Sequence, residues 1–346
     1  MSAHDDIDFV ITWVDGSDPA WQAERDRWLA LEEGHPWSAW ATGDQRFRDW
    51  GLLRYWFRGV EKFAPWVRKV HFVTWGHVPE WLDVDHPKLH VVRHEEFIPE
   101  EYLPTFNSNA IELNLHRIEG LSEQFVYFND DMFLTRPARP EQFFLRGLPR
   151  DFAGLDACVP NYGRTDSKPA NTAIVNEFFD KHAVLKSHPM KWFNHLYGAK
   201  VLAKTVSVLS YSAFAGMQIN HLAYNLLKGT FKMVWEAAAD ELNCACHHHF
   251  RNQRDCNLWL MQDWQRCLGA FEPISPQLGA WLDARLMTSH DNAEKLVREI
   301  TTGRWRQVSI NDECTSEEDF VFWSETSRIA FDQLLPDACS FEKDRA

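Results

Sequence analysis

The chain of 346 residues carries 50 acidic and 36 basic side chains, a formal net charge of −14 at pH 7, and 45% of its residues are hydrophobic. This apolar fraction excludes a disordered chain, and the acidic balance argues against nucleic-acid binding through bulk charge, because counterion release needs clustered Lys and Arg. Seven cysteines are an odd number in a chain long enough to bury a core without disulfides, and the acidic N-terminal segment lacks the pattern of a signal peptide. We therefore expect a cytoplasmic protein with no nucleic-acid partner.

Four short apolar runs predict buried strands, because continuous stretches of β-branched and aromatic residues fit parallel strands that are covered on both faces. They are residues 9–14, 70–74, 125–128 and 308–310. Helical patterns lie between them at residues 19–33, 50–63 and 109–118. This alternation predicts an α/β fold with a doubly wound, mostly parallel sheet. In such sheets, ligands bind beyond the carboxyl ends of the strands.

The pattern changes after residue 160, where helical segments follow one another with few strands between them. Helices are expected at residues 171–182, 188–197, 221–242 and 255–268. Residues 308–312 then return to the sheet, and residues 317–335 form a closing amphipathic helix. We therefore divide the chain into an α/β core, residues 1–160 and 300–346, and a helical insertion, residues 161–299.

One stretch without charged side chains, residues 205–227, could contact a membrane. Gln218, Asn220, His221 and Asn225 make it too polar for a spanning helix. We expect a buried segment here, and peripheral membrane contact by residues 205–217 is the alternative.

The first segment that could carry chemistry is Asn129-Asp130-Asp131, which follows a predicted strand. Two adjacent carboxylates on a sharp turn can bind Mg²⁺ or Mn²⁺, which would bridge to a nucleotide diphosphate. The alternative is a structural turn capped by Asn and Asp.

A second acidic segment, residues 15–18 (Asp-Gly-Ser-Asp), repeats this arrangement at the end of the first strand. Asp18 also fits the role of N-cap for a helix that begins with Pro19, and this role explains Asp18 better than Asp15. Both acidic segments are therefore expected at the same edge of the sheet.

Basic and metal-binding side chains add further candidates. Arg46 precedes a helix that carries Arg54 and Arg58 at i, i+4 spacing, and Arg binds phosphate in a bidentate manner, although a solvated helix face is the alternative. A lone His221 is by itself more typical of a structural residue. A further cluster contains Cys244, Cys246, His247 and His249, but Cys-x-Cys is not a typical zinc pattern, so zinc binding stays open.

Four separated blocks of the chain together resemble the Stealth family of sugar-phosphate transferases. They are IDFVITWVDGSD from Ile7, RFRDWGLLRYWFRGVEKFAPWVRKVHFVT from Arg46, LPTFNSNAIELNLHRIEGLSEQFVYFNDDMFL from Leu103, and SIND from Ser309. This family includes bacterial capsule and exopolysaccharide phosphotransferases and the animal lysosomal-enzyme N-acetylglucosamine-1-phosphotransferase.

The resemblance implies a fold like that of nucleotide-sugar transferases and the transfer of a sugar 1-phosphate. The donor would be a nucleotide-diphosphate sugar, such as a UDP-hexose or UDP-N-acetylhexosamine, and the acceptor a hydroxyl of a capsular or exopolysaccharide glycan. Attack on the phosphorus nearest the sugar would form a phosphodiester and release a nucleoside monophosphate.

The resemblance also implies roles for individual residues. The family pattern of a His, then Lys or Arg seven residues on, then Arg-x-x-x-Asp matches His221, Lys228, Arg251 and Asp255. We expect His221 to be the general base, because its titration range suits proton uptake near neutral pH. The expected catalytic residues are His221, Arg251, Asp131 and Asp15; the expected ligands of Mg²⁺ or Mn²⁺ are Asp130, Asp131 and Asp312; and the expected substrate contacts are Arg46, Asp18, Asn107, Ser108, Lys228, Asp255 and Asn311.

Two other functions remain open at this stage. A conventional metal-dependent glycosyltransferase would use the carboxylates of residues 129–131 as a diphosphate clamp and would release a nucleoside diphosphate. A non-catalytic carbohydrate-binding protein would use the acidic turns only as structure, and it would show no metal-dependent turnover of a donor.

Overall fold

The central sheet forms from the apolar runs of the N-terminal half. A computed structural model describes residues 6–32, 42–159, 167–282, 287, 289–312, 314 and 316–343. The sheet contains β1 Ile7–Trp13, β2 Val70–Thr74, β3 Leu89–Arg93, β4 Gln124–Phe128 and β8 Tyr224–Leu227, in the spatial order β3-β2-β1-β4-β8. The first four of these strands are parallel, and β8 pairs with β4 in the antiparallel direction. The predicted α/β fold with a mostly parallel sheet is therefore confirmed.

Two small sheets extend this framework. The first has the order β10-β11-β5 and consists of β5 Met132–Leu134, β10 Gly279–Leu282 and β11 Gln307–Ile310. The second has the order β6-β7-β9 and consists of β6 Phe144–Leu145, β7 Leu148–Asp151 and β9 Glu272–Pro273.

The described helices are numbered in chain order. They are α1 Pro19–Leu31, α2 Leu53–Phe63, α3 His94–Phe97, α4 Ser108–Leu113, α5 Lys168–Phe178, α6 Lys181–Ser187, α7 Pro189–Trp192, α8 Gly198–Ser207, α9 Lys228–Ala237, α10 Ala239–Cys246, α11 Trp259–Cys267, α12 Ala293–Thr301 and α13 Glu317–Leu334.

Aromatic residues hold the helices onto the central sheet. Helix α2 buries Trp56 and Phe57, and the Trp56 ring meets the ring of Phe128 on β4 edge-on at a centroid distance of 5.5 Å. Such aromatic pairs contribute about 0.5–1.5 kcal/mol beyond the area that they bury. Because β1 and β2 are buried along almost their whole length, their carboxyl ends are fixed with little freedom.

Two elements of the C-terminal half differ from the predictions. The helix predicted for residues 221–242 is wrong over Tyr224–Leu227, where β8 forms the edge of the central sheet before α9 begins. β11 does not return to the central sheet, because it pairs with β10 and β5 instead. Residues 161–299 thus contribute strands to all three sheets, and the predicted domain boundary at residue 160 lies outside the described residues.

The uncharged stretch of residues 205–227 is not one continuous helix. It contains the end of α8, a loop and β8, and it buries Val208, Phe214, Met217 and Leu226. The expectation of a buried segment therefore holds for these side chains. In the part of the chain that the structure describes, every helix is too short or too polar to cross a membrane.

Candidate active site

The candidate site lies where the winding of the central sheet reverses. From β1 the chain proceeds outward through β2 and β3, and it then returns to place β4 on the other side of β1. In open α/β sheets a crevice forms at such a switch point, outside the carboxyl ends of the two strands. The segments that follow β1 and β4 contain Asp15 and residues 129–131, so the fold brings the two predicted acidic segments to the same crevice.

His221 contacts the second of these segments directly. Its Nε2 atom lies 3.0 Å from Oδ2 of Asp131, and its Nδ1 atom lies 3.3 Å from the hydroxyl of Tyr224. Trp259 donates to the Tyr224 hydroxyl over 3.0 Å, which fixes the position of the tyrosine. Burial lowers the pKa of His221, but the charge and hydrogen bond of Asp131 outweigh burial and leave the pKa raised.

Asp131 itself is pinned by β11. The backbone N–H of Ile310 donates to the carbonyl of Asp131 over 2.8 Å, and the Ser309 hydroxyl lies 3.5 Å from Oδ2. Asn311 follows directly along the chain. The Oδ1 atom of Asp131 is buried and has no hydrogen-bond partner among the described residues. One oxygen of this carboxylate therefore orients His221, and the other is available to a cation or a donor group.

Further carboxylates make the crevice strongly negative. Asp130 is exposed on the turn after β4, where desolvation by the surrounding protein and then the charges of Asp131 and Asp49 raise its pKa. Desolvation by the neighbouring protein also raises the pKa of Asp49, and the charge of Asp15 raises it further. A divalent cation would offset this repulsion, and Mg²⁺ commonly takes one or two carboxylates together with phosphate and water oxygens. The carboxylates of the Asp130–Asp131 pair therefore fit such an ion. Within the described ranges, no cluster of three or more His, Cys, Asp or Glu side chains could hold a metal ion without further ligands.

Arg251 supplies the positive charge of the site. It donates from Nη2 to the hydroxyl of Ser108, the first residue of α4. Its charge lowers the pKa of Glu112, Asp130 and His221, so the guanidinium lies within electrostatic range of these three side chains. Burial raises the pKa of Glu112 to about 7, and the charge of Arg251 limits this rise. The structure thus brings the predicted residues His221, Arg251, Ser108 and both carboxylates of the Asp130–Asp131 pair together.

The loop that carries Arg251 is held by two buried predicted residues. Asp255 accepts from His248 Nδ1 at 2.6 Å, from the backbone N–H of Asn252 at 2.9 Å and from Asn107 at 3.2 Å. Asn107 also caps α4 by accepting from Asn109 N–H at 3.0 Å. Because neither Asn107 nor Asp255 reaches the surface, the geometry makes both of them positioning residues for Arg251.

The turn after β1 is preorganised by its own hydrogen bonds. Oδ1 of Asp15 accepts from the backbone N–H of Ser17 at 2.9 Å and from its hydroxyl at 2.6 Å. Gly16 packs so closely against the Phe47 carbonyl that an added Cβ would lie 2.0 Å from this oxygen, which brings the segment after Arg46 against the turn. Asp18 accepts from Trp21 N–H at 2.8 Å, as expected of an N-cap.

Asp312 lies in an ion pair next to the site. Both of its oxygens accept from Arg48, one of them over 2.7 Å, and Trp50 Nε1 and the backbone N–H of Cys314 add bonds of 3.2 and 3.0 Å. A carboxylate with four such donors is less available to a cation than the Asp130–Asp131 pair is.

Lys228 is the predicted residue that the structure separates from the others. Its Nζ lies 3.4 Å from the Leu121 carbonyl, and its backbone N–H donates to Glu123 over 2.9 Å. Both partners precede β4, whereas His221 lies beyond the carboxyl end of β4. β8 runs antiparallel along β4 and carries Lys228 to the opposite edge of the sheet. The structure therefore places Lys228 away from His221, and its contact with substrate stays a prediction.

The residues of the Cys-His cluster bond to separate partners. His247 contacts the Asn243 carbonyl at 2.8 Å, His249 contacts the Pro104 carbonyl at 2.5 Å, and the Cys246 thiol lies 3.4 Å from the Asn114 amide. The described part of the cluster therefore does not present a zinc ligand set.

The structure adds site residues that the sequence did not single out. Trp281 on β10 is 46% exposed, and its ring lies 5.4 Å from that of His221. Glu112, Tyr224 and Asp49 also belong to the site, as described above. Glu112 and Asp49 lie in the blocks that resemble the Stealth family, and this position is the only sequence feature that could have indicated them. Trp281 could not be distinguished in the sequence from the other members of a set of 17 tryptophans.

Comparison with known proteins identifies two conserved regions in the chain. Residues 5–31 match conserved region 1 of the Stealth proteins, and residues 46–150 match conserved region 2. These regions contain both acidic segments of the site. Among solved structures, mouse xyloside xylosyltransferase 1 in its apo form aligns with 89% of this chain and 98% of its own, at 12% identity and a TM-score of 0.33.

Several relatives match over nearly the full chain. The receptor polysaccharide phosphotransferase WefC of Streptococcus oralis is 39% identical, over 97% of this chain and 99% of its own. The exopolysaccharide phosphotransferase cps2G of Lactiplantibacillus plantarum is 38% identical over 98% and 96%, and the capsular polysaccharide phosphotransferase WcwK of Streptococcus pneumoniae is 38% identical over 97% and 99%. The chain therefore belongs to the Stealth family and is a phosphotransferase.

Proposed function

We propose that the protein transfers a sugar 1-phosphate from a nucleotide-diphosphate sugar to a hydroxyl of a glycan in capsule or exopolysaccharide synthesis. A UDP-hexose or UDP-N-acetylhexosamine is the proposed donor, and a nucleoside monophosphate is the second product. The relatives described above act, by their names, on such polysaccharides. The observation that carries the proposal is the His221–Asp131 contact, which lies beside Arg251 at the switch point of the sheet.

His221 is the proposed general base. With its Nε2–H directed at Asp131, the imidazole presents Nδ1 as the acceptor, and the Tyr224 hydroxyl marks the position from which a substrate hydroxyl would approach. As the acceptor oxygen bonds to the phosphorus nearest the sugar, its proton passes to Nδ1. The bond from this phosphorus to the bridging oxygen breaks, and its electron pair leaves with the nucleoside monophosphate. Asp131 stabilises the imidazolium that forms.

The second requirement is to stabilise the negative charge on the transferred phosphoryl group, because phosphoryl transfer depends chiefly on positioning and electrostatic stabilisation. Arg251 presents a planar guanidinium to the non-bridging oxygens, and Ser108 holds it in place. We further propose that Asp130 and Asp131 would hold Mg²⁺ or Mn²⁺, through Oδ1 in the case of Asp131. The ion would offset the charge of the diphosphate.

The released nucleotide tests the proposal. The protein is incubated with a panel of nucleotide sugars, a capsular oligosaccharide and Mg²⁺ or Mn²⁺, and the products are identified by mass spectrometry. We expect a nucleoside monophosphate and an acceptor that gains a sugar phosphate. A nucleoside diphosphate and an acceptor that gains only the sugar would instead establish a conventional glycosyltransferase.

A further inference from the structure

A second cleft lies beside the candidate active site and takes no part in the proposed chemistry. It is open to solvent and lies between β7, the loop before β8 and the start of β11. Its wall includes Arg150, Asn225, Gln262 and Arg306, together with Asn220, the neighbour of His221.

Arg306 is an unpaired cation in an enclosed position. The residue is only 6% exposed, and its buried Nε atom has no hydrogen-bond partner among the described residues. Burial and the neighbouring charges of Arg136, Arg150 and Arg139 lower its pKa to about 10. A buried charge without a partner destabilises a fold, so its presence calls for a ligand that compensates for it.

Arg150 faces the same cleft with a second unpaired group. Its Nε atom is also buried without a partner in the described part of the chain, while its Nη2 atom donates to the Pro273 carbonyl over 2.8 Å. The nearby Glu272 is shared with Lys191, whose ammonium lies 3.9 Å from it. The cleft therefore keeps two guanidinium groups that the surrounding protein does not saturate.

The third arginine of the cleft is saturated. Arg266 donates to both oxygens of Asp151, at 2.9 and 3.0 Å, and to Asp263 at 3.0 Å. These carboxylates raise the pKa of Arg266 although burial lowers it. A structural arginine in this region thus has carboxylate partners for its guanidinium group. Arg150 and Arg306 do not have such partners among the described residues.

Unpaired acceptors line the cleft as well. Oδ1 of Asn225 and Oε1 of Gln262 are buried, and neither has a hydrogen-bond partner among the described residues. A ligand that satisfies the whole wall must therefore supply anionic oxygens to two guanidinium groups and hydroxyl donors to two amide oxygens. A sugar phosphate supplies both, because guanidinium groups bind phosphate in a bidentate manner and the sugar ring carries hydroxyls.

The β10–β11 ladder connects this cleft to His221. Gln307 lines the cleft, whereas Ser309 and its partner Trp281 lie beside Asp131 and His221. Side chains two residues apart share a face of a strand and are separated by about 7 Å. Gln307 points to this face, because its Oε1 accepts from Ala223 N–H over 3.2 Å.

We infer that the cleft binds a phosphate group carried by the acceptor glycan, held by Arg150 and Arg306, while a hydroxyl of the same glycan is presented to His221. The acceptor role in this inference rests on the proposed function, whereas binding of a sugar phosphate in the cleft does not. The enzyme would thus select acceptors that already contain a phosphate, such as a glycan with phosphodiester links or with a phosphate at its reducing end.

Binding of glucose 6-phosphate, measured by calorimetry with UMP at saturation to fill the donor site, tests the cleft independently of turnover. We expect Arg306→Met and Arg150→Met each to weaken this binding about tenfold or more, since each removes a charged hydrogen-bond donor. The matched control is Arg139→Met, which removes an exposed arginine from the same neighbourhood and should change the Kd less than about twofold.

The melting temperature gives a second readout. A binding role and a structural role of Arg306 predict changes of opposite sign in this temperature when the residue is replaced. Because Arg306 is buried without a partner, Arg306→Met should raise the melting temperature of the ligand-free protein and abolish the further rise caused by glucose 6-phosphate. An unchanged Kd in both lining variants would overturn the inference, as would a lower melting temperature of Arg306→Met with an unchanged Kd. Equal binding of glucuronate would show a carboxylate site and would also overturn it. If the parent protein binds glucose 6-phosphate as expected but releases no nucleoside monophosphate, the proposed function alone would be rejected.

Discussion

The Nε2 atom of His221 lies 3.0 Å from Oδ2 of Asp131, although 90 positions separate the two residues in the chain. If His221 is the general base, His221→Ala should lower turnover about 10²–10⁴-fold, the usual contribution of such a group. Donor affinity should change little, because His221 acts on the acceptor hydroxyl. Monophosphate release and calorimetric donor binding measure the two effects, and near-normal turnover would contradict the assignment.

Tyr224→Phe provides a milder probe of the same pair. It removes only the hydroxyl that lies 3.3 Å from Nδ1, so we expect a loss of about fivefold, equivalent to about 1 kcal/mol for one neutral hydrogen bond.

Arg251 should be essential for the shape of its guanidinium as well as for its charge. Arg251→Lys keeps the charge but loses the planar fork that binds Ser108 and two phosphate oxygens, so we expect turnover to fall about 10²–10³-fold. The matched control is Arg254→Lys, an exposed arginine on the same loop, which should stay within about twofold of the parent. Steady-state rates at saturating donor measure both variants, and equal effects would contradict the role of Arg251.

Metal dependence should separate the three carboxylates that the sequence proposed as ligands. Chelation by EDTA should abolish turnover, and Mg²⁺ or Mn²⁺ should restore it. Asp130→Asn and Asp131→Asn should raise the metal concentration needed for half-maximal turnover at least about tenfold, because each removes a charged ligand. Turnover that survives EDTA, or an unchanged metal requirement in both variants, would contradict this arrangement.

Asp312→Asn should behave differently, since this carboxylate is bound by Arg48 and Trp50. We expect a lower melting temperature because Arg48 loses the carboxylate that accepts two of its hydrogen bonds, together with an unchanged metal requirement. A raised metal requirement in this variant would return Asp312 to the ligand set.

Local sequence was sufficient to predict the strand ends of the N-terminal half. Ile7–Trp13 and Gln124–Phe128 are continuous apolar runs that stop at acidic turns, and such runs are typical of buried parallel strands. β8 could not be recognised, because its four residues merge into the apolar pattern of α9 and because short runs fit strand and helix alike.

The site was predictable only in part, for a related reason. A spacing of seven residues places two side chains on one face of a helix, but a four-residue strand lies between His221 and Lys228 and extends the chain by about 13 Å. Trp281 and Glu112 join the site through contacts between segments far apart in the chain, and no local pattern records such contacts.

Trp281 is expected to bind the acceptor sugar. An exposed indole beside the general base offers a flat apolar face to a sugar ring, and the comparable stacking of two aromatic rings contributes about 0.5–1.5 kcal/mol. Trp281→Ala should therefore raise the KM for the acceptor up to about tenfold, whereas Trp281→Phe should retain most of the affinity. The matched control is Tyr211→Ala, an exposed aromatic residue that follows α8. An increase confined to the donor KM would contradict this role.

At the amino end of the same sheet, Asp8 stabilises the fold without touching the site. Its buried carboxylate accepts from Arg68 at 2.8 Å, from His71 at 3.0 Å and from the backbone N–H of Ser122 at 2.8 Å. Burial raises the pKa of Asp8, but the hydrogen bonds from His71, Arg68 and Ser122 outweigh burial and lower it. A carboxyl whose pKa is lower in the folded than in the unfolded state stabilises the fold above its unfolded pKa, and this stabilisation is lost as the pH falls through the folded pKa.

Asp8→Asn should therefore lower the free energy of unfolding at pH 7 by about 1.5–3 kcal/mol, since it removes the buried charge that accepts from Arg68 and His71. The difference between parent and variant should shrink as the pH falls below about 4, where the unfolded carboxyl takes up its proton, and it should vanish once the pH has passed through the lower pKa of the folded state. Urea unfolding followed by circular dichroism between pH 3 and pH 7 measures this, and Asp26→Asn, at an exposed pair with Arg25, should change the free energy by less than about 1 kcal/mol throughout. A constant difference across this range would show that the charge of Asp8 is not what stabilises the fold. Because Asp8 lies at the far end of β1 from Asp15, the folded variant should keep its kcat.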